Sequence, residues 1–200
     1  MNYRDFLREK VFRPNVENME VLEIGPLIGL QSNEILSCNP KQHTTVDPHF
    51  KPTFKGTLND YINSGECQSF DVVICMGVLY HLHSPLHMIE QIINHCRPKT
   101  LIIETTVNNY GVEEEPIGLH GMAAADKGIQ YPISMRMGTS RAEITKAIET
   151  TPMKLDKYWE YWPNGPNWPD GYMEEFEDDE HPDWVKGKHG MFVGVYKWVE

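Results

Sequence analysis

Apolar positions along this chain recur in two rhythms, and the switches between them set out its elements. Tyr3, Phe6, Leu7 and Val11 fall at helical spacing, which predicts a short amphipathic helix ending before Pro14. An apolar run follows at 21–24, then a helical pattern at about 30–37, a strand at 43–46, a weak strand or turn near 53–56 and a helical stretch around 57–63. Strand character returns strongly at 71–76. Pro85 opens a helix with apolar positions Leu86, Ile89, Ile92 and Ile93, and Leu101 to Glu104 read as another buried strand. Ser140 is placed to cap a helix running to Glu149, with Glu143 at the capping-box position and Ile144, Ala147 and Ile148 facing inward. Two strands, Met153 to Trp162 and Met191 to Val199, close the chain. Strand and helix in alternation predict an α/β fold, a doubly wound, mostly parallel sheet wrapped by helices.

Length and charge narrow this picture. Two hundred residues suit one well-buried core, so a single domain over 1–200 is expected. Between the last two strands the chain is dense in Pro, Gly and Trp, and so long a connection predicts a lid or insertion at 163–190. That segment holds eight acids against Lys186 and Lys188, a net −6 within a total of −11. The acidity argues against electrostatic capture of nucleic acid and favours a small-molecule or neutral acceptor such as a glycan. Met1 to Lys10 carry no secretory pattern, and the longest apolar run, Val72 to Tyr80, falls short of the roughly 20 residues a spanning helix needs. A soluble, cytoplasmic protein is expected. Cys38, Cys67, Cys75 and Cys96 lack paired spacing and read as reduced thiols.

The candidate chemistry begins where the first strand ends. In Val-Leu-Glu-Ile-Gly-Pro-Leu-Ile-Gly, residues 21–29, Gly25 and Gly29 can take backbone angles a Cβ would forbid and leave room for a ligand against the main chain. Glu23 repels phosphate but suits an ammonium or ribose hydroxyls, so the fitting guest is a positively charged adenosyl compound, S-adenosylmethionine. Asp47 ends the next strand, where an acid can accept both ribose hydroxyls. A dinucleotide site would instead want G-x-G-x-x-G, yet Leu27 takes the middle position and no third glycine is in register. Without a ligand, the same residues would be a plain strand-to-helix turn with a surface Asp.

The second motif runs from Phe70-Asp71 through Met76-Gly77 to Tyr80-His81-Leu82-His83-Ser84-Pro85. Ligands of open parallel sheets bind at the carboxyl ends of strands, which puts Met76 and Gly77 beside the cofactor and Tyr80 and His81 near the group that receives the methyl. Packing at the sheet edge is the alternative for Tyr80 and His81.

These stretches, Glu23-Ile-Gly25-Pro-Leu-Ile-Gly29, Val46-Asp47-Pro48 and Phe70-Asp71 through Tyr80-His81-Leu82, together resemble class I S-adenosylmethionine-dependent methyltransferases over roughly residues 19–105. The resemblance implies a Rossmann-like, seven-stranded sheet with an antiparallel last strand. Its expected cofactor contacts are Glu23, Gly25, Pro26, Gly29, Asp47, Pro48, Thr57, Leu58, Met76, Gly77 and Tyr80. More narrowly, Met76-Gly-Val-Leu-Tyr80-His81-x-x-Ser84-Pro85-Leu86 is similar to the bacterial tRNA wobble-uridine carboxymethyltransferases, in which the positions matching Met76 and Tyr80 contact the cofactor. That family carries a long basic extension for a carboxylated cofactor and its tRNA, whereas about twenty residues precede the first strand here. Lys188-His189 also stands where the family shows Lys-Arg. Both departures point to plain S-adenosylmethionine and away from tRNA.

Methyl transfer is an in-line displacement in which positioning carries most of the work and a general base assists. His81 is the first candidate base for a hydroxyl acceptor, with Tyr80 beside it; an amine needs none. Glu104, ending its strand, can face the cleft and hold an acceptor hydroxyl or amine, or stand in water as a strand-end acid. His81-x-His83-x-x-x-His87 carries imidazoles, but its members straddle a loop and a helix start, so no metal is expected. Tyr158, Trp159, Tyr161, Trp162, Trp168 and Tyr172 can floor an acceptor pocket or pack in the core. Alternatives to a small-molecule methyltransferase are a non-catalytic S-adenosylmethionine-binding module, a tRNA-modifying methyltransferase and a nicotinamide oxidoreductase.

Overall fold

β4 (Val72–Met76) is apolar at every position and every residue of it is buried, which only a central strand covered on both faces can satisfy. The structure is a computed structural model describing residues 3–26, 29–49, 51–109, 119–120, 136–137, 141–162, 172–174 and 188–199. Beside β4, β1 (Glu20–Ile24) pairs in parallel, followed outward by β2 (Gln42–Asp47) and the two-residue β3 (Phe54–Lys55). On the other side lie β5 (Thr100–Asn109), then β10 (Lys188–Trp198), β8 (Met153–Trp162) and β9 (Tyr172–Glu174). β10 runs antiparallel to both of its neighbours. The expected doubly wound sheet with a reversed last strand is thus observed, with the three-residue β9 added at the edge. A separate two-residue pair joins β6 (Leu119–His120) to β7 (Arg136–Met137).

Helices close both faces. Leu22, Ile24, Val73, Cys75, Leu101 and Ile103 point to one side, under α3 (Leu58–Asn63), α4 (Pro85–Gln91, extended by a wide turn Ile92–Cys96) and α5 (Arg141–Glu149). Val21, Val72, Ile74, Ile102, Val193 and Val195 point to the other, under α1 (3–16) and α2 (Leu30–Leu36). The alternation of these residues is the period of two that a pleated strand imposes. Asp71 fastens the amino ends of three strands: it accepts from the Glu20 backbone N–H at 3.0 Å and from Lys99 Nζ at 2.8 Å. The Lys99 bond, first, and the backbone donor lower its pKa.

Three sequence expectations shift. α1 does not stop before Pro14 but continues to Val16, because a wide turn at Leu7–Phe12 sends the Arg13 N–H back to Arg8, and Pro14 opens the final turn where its missing N–H costs little. Leu86 is exposed, and α4 buries Pro85, Ile89, Ile92, Ile93 and Cys96 instead. β5 outruns the expected four residues because β10 pairs with it along almost its whole length. Ser140 and the 163–190 insertion lie outside the described residues, apart from β9 and the first residues of β10. Among the described residues, no helix is long and apolar enough to cross a membrane.

Candidate cofactor and acceptor site

Strand register assembles the site. Ile24 lies opposite Val46 on one side and Cys75 on the other, so the next residues, Gly25, Asp47 and Met76, end three neighbouring strands together. Met76 in turn lies opposite Glu104 on β5. Four of the residues singled out from the sequence therefore share one end of the sheet, where ligands of open α/β sheets bind.

The turn after β1 needs its glycines. Gly25 has φ +71°, and a Cβ built on it would lie 2.4 Å from Val78 Cγ2, so this backbone is pressed against the loop after β4. Gly29, at φ +76°, caps α2; its N–H donates to the Pro26 carbonyl at 2.8 Å and its own carbonyl takes the first helical bond from Asn33. Pro26 is buried and Pro48 exposed. Gly77, also left-handed at φ +71°, donates its N–H to the Glu104 carbonyl at 3.1 Å.

The acids are placed differently from one another. Glu23 is buried, and its Oε2 accepts from Ser32 Oγ at 2.6 Å on α2 and contacts His43 Nε2 at 2.9 Å on β2. Neither Ser32 nor His43 was singled out from the sequence; His43 sits two-residue steps from Asp47 on the same face of β2, the one signal that would have found it. Asp47 is 5% exposed and accepts from the His49 backbone N–H at 2.7 Å. Glu104 is 2% exposed, its Oε1 has no hydrogen-bond partner, and burial pushes its pKa up to about 8. A carboxyl in that state is neutral over much of the physiological range and can donate as well as accept.

The remaining candidates divide. Met76 is buried, Gly77 and Tyr80 are half-buried, and His81 is exposed with its ring 4.3 Å from that of Tyr80. Thr57 caps α3 in a reciprocal box with Asp60, and Leu58 is buried in the core, so local structure accounts for both. His83 is exposed, His87 turns toward Glu90 at 3.6 Å, and among the described residues no group of His, Cys, Asp or Glu gathers for a metal. Trp159 is buried edge-on against Phe6, and the half-buried Tyr158 packs against the core beside Phe192; the side chains of Tyr161, Trp162, Trp168 and Tyr172 lie outside the described residues.

Residues 2–163 match the family model of a methyltransferase domain. The chain belongs to this family. Two curated relatives of this methyltransferase-domain protein are tRNA U34 carboxymethyltransferases. That of Nautilia profundicola is 30% identical over 129 residues, 56% of this chain and 43% of the relative. That of Pseudoalteromonas atlantica is 34% identical over 108 residues, 46% of this chain and 33% of the relative. The chain thus spans less than half the length of these relatives. Among solved structures, the Burkholderia thailandensis 1,6-didemethyltoxoflavin-N1-methyltransferase, with S-adenosylhomocysteine bound, superposes with a TM-score of 0.61 at 12% identity, over all of this chain and 80% of its own. That likeness is one of fold.

The class I resemblance, the Rossmann-like sheet and S-adenosylmethionine as cofactor all stand. The expectation of a small-molecule or glycan acceptor, with nucleic acid unlikely, does not: curated relatives that are tRNA U34 carboxymethyltransferases overturn it. Net charge describes the long-range field of a whole chain, and more than half of the −11 belongs to 163–190, so it is a poor guide to what one sheet end receives. The residues present fit the cofactor: a glycine turn whose backbone lies close against the loop after β4, a buried acid ending β2, and, within β5 opposite Met76, the orphaned carboxyl oxygen of Glu104.

Proposed function

We propose that this protein transfers a methyl group from S-adenosylmethionine to a base of tRNA. The likeness to tRNA U34 carboxymethyltransferases carries the reading, and the Met76-to-Leu86 stretch supports it from within the site. When bound, S-adenosylmethionine supplies a carbon activated by its positively charged sulfur.

The chain's own residues do the rest. The bare backbone at Gly25 and Gly29 admits an adenosyl group, and Asp47 accepts its sugar hydroxyls. Ser32 and His43 hold the Glu23 carboxylate in one orientation beneath that turn. Met76 and Gly77 form the floor, while Tyr80 and His81 border the side from which the acceptor arrives. Glu104 offers a neutral hydrogen-bonding group there without adding to the negative charge. Orientation of the acceptor can recover roughly 7–11 kcal/mol of barrier, whereas a base contributes about 10² to 10⁴ in rate, so His81 assists and the cradle dominates.

With an acidic chain, tRNA recognition leans on base and shape contacts more than on counterion release, and a shallow salt dependence follows. A tRNA acceptor also accords with a cytoplasmic location. The test is incubation of the full chain with methyl-labelled S-adenosylmethionine and total tRNA, followed by nucleoside mass spectrometry. Label in one tRNA nucleoside supports the proposal, and the added mass separates methyl from carboxymethyl. Unlabelled RNA, with turnover on a metabolite extract or with cofactor binding alone, overturns it.

A further inference from the structure

Cys67 and Cys96, twenty-nine positions apart in the chain, bring their sulfurs to 3.5 Å. Cys67 lies between α3 and β4 and is half-buried; Cys96 ends α4 and is fully buried. The backbone around them is already joined, since the Phe70 N–H donates to the Cys96 carbonyl at 3.0 Å. A disulfide needs sulfurs about 2.05 Å apart, so a small side-chain adjustment, with no separation of secondary structure, closes the gap. The pair sits at the amino end of β4, opposite the end that carries Met76 and Gly77, and the cofactor site makes no use of it.

We propose that Cys67 and Cys96 form a reversible disulfide when the protein meets hydrogen peroxide, a redox modification that fastens the base of the β4–α4 unit. The half-buried Cys67 sulfur attacks one peroxide oxygen and becomes a sulfenic acid, releasing water. The Cys96 sulfur then attacks the Cys67 sulfur, the S–O bond breaks, and a second water leaves as the S–S bond forms. Two thiols are oxidised by two electrons in all, and the peroxide is reduced to two waters. Burial raises the pKa of both thiols, which keeps the pair from casual exchange and makes the reaction faster at higher pH. Once formed, the bridge closes a loop spanning β4, the Tyr80 turn and α4, and so restrains the unit on which Met76, Gly77 and Tyr80 ride.

The test treats the full chain with hydrogen peroxide, alkylates the remaining thiols and maps peptides without reductant. The expected product is a linked Cys67–Cys96 peptide, lighter by two hydrogens and restored by dithiothreitol, with Cys38 and Cys75 still reduced. Cys67→Ser abolishes the link. In Cys96→Ala the oxidation of Cys67 stops at a sulfenic acid that dimedone traps. Should Cys96→Ala fail to fold, the wild-type map and Cys67→Ser decide the matter alone. Oxidation of Cys67 to a sulfinic acid without linkage, or a link between other cysteines, overturns the proposal, as does a Cys67–Cys96 pair that stays reduced while surface methionines oxidise.

Discussion

Replacing Gly25 by alanine tests the cradle at its tightest point. The residue sits at φ +71°, where a side chain costs roughly 1–2 kcal/mol through its clash with the following carbonyl. Its new Cβ would also stand 2.4 Å from Val78 Cγ2, a separation that real carbon atoms do not tolerate, and relieving such overpacking costs about 1–3 kcal/mol. Gly25→Ala should therefore lose about 2–5 kcal/mol, a large share of the roughly 5–15 kcal/mol that holds an ordinary domain folded. The two contributions separate in a double-mutant cycle. Val78→Ala removes the opposing methyl, so Gly25→Ala in that background should cost only the backbone part, and the coupling should be favourable by about 1–3 kcal/mol. Urea unfolding followed by tryptophan fluorescence measures stability, and calorimetry with S-adenosylhomocysteine measures the site. A Gly25→Ala protein within about 0.5 kcal/mol of wild type, binding S-adenosylhomocysteine as before, would refute both the close approach of the turn to Val78 and its place in the cofactor site.

Other substitutions probe the remaining groups. Glu104 has a folded-state pKa of about 8 against an ordinary 4.5, so its protonated form is favoured in the folded chain. Its contribution is complete below about pH 4.5 and is lost as pH rises toward 8; the urea midpoint of Glu104→Gln should be flatter across that window than wild type, and parallel profiles would dismiss the buried acid. Asp47→Ala should weaken S-adenosylmethionine binding by about 1.5–3 kcal/mol, the worth of a hydrogen bond to a charged group, and unchanged calorimetric affinity would remove Asp47 from the site. Thr57→Val should lower stability by about 1 kcal/mol through loss of the α3 cap while leaving cofactor affinity intact. Weakened binding with stability preserved would return Thr57 to the cofactor contacts.

The local elements were legible because their causes are local. Turn glycines, the proline opening α4 and the two apolar periods act within a few residues, and most strands and helices fall where those signals lie. The misplacements have equally specific causes. Pro14 reads as a stop because a regular helix interior cannot absorb it, but the wide turn before it can. The candidate site is partly legible: Gly25 and Gly29 come after a strand and Asp47 and Met76 end theirs, whereas Ser32 carries no signal, and His43 only its shared face with Asp47, until β1, β2 and α2 are packed together.

From the sequence alone came the order of elements, the parallel sheet and the glycine turn after β1, since each follows from short-range backbone sterics and from the removal of apolar faces from water. Tertiary structure decided which distant residues meet. Folding set Phe6 edge-on to Trp159 with ring centroids 5.4 Å apart, buried Glu104 until its proton is retained, and drew Cys67 to Cys96. Such pairings depend on how the whole sheet closes, with the last strand slotted between β5 and β8, and no local window of the chain contains that information.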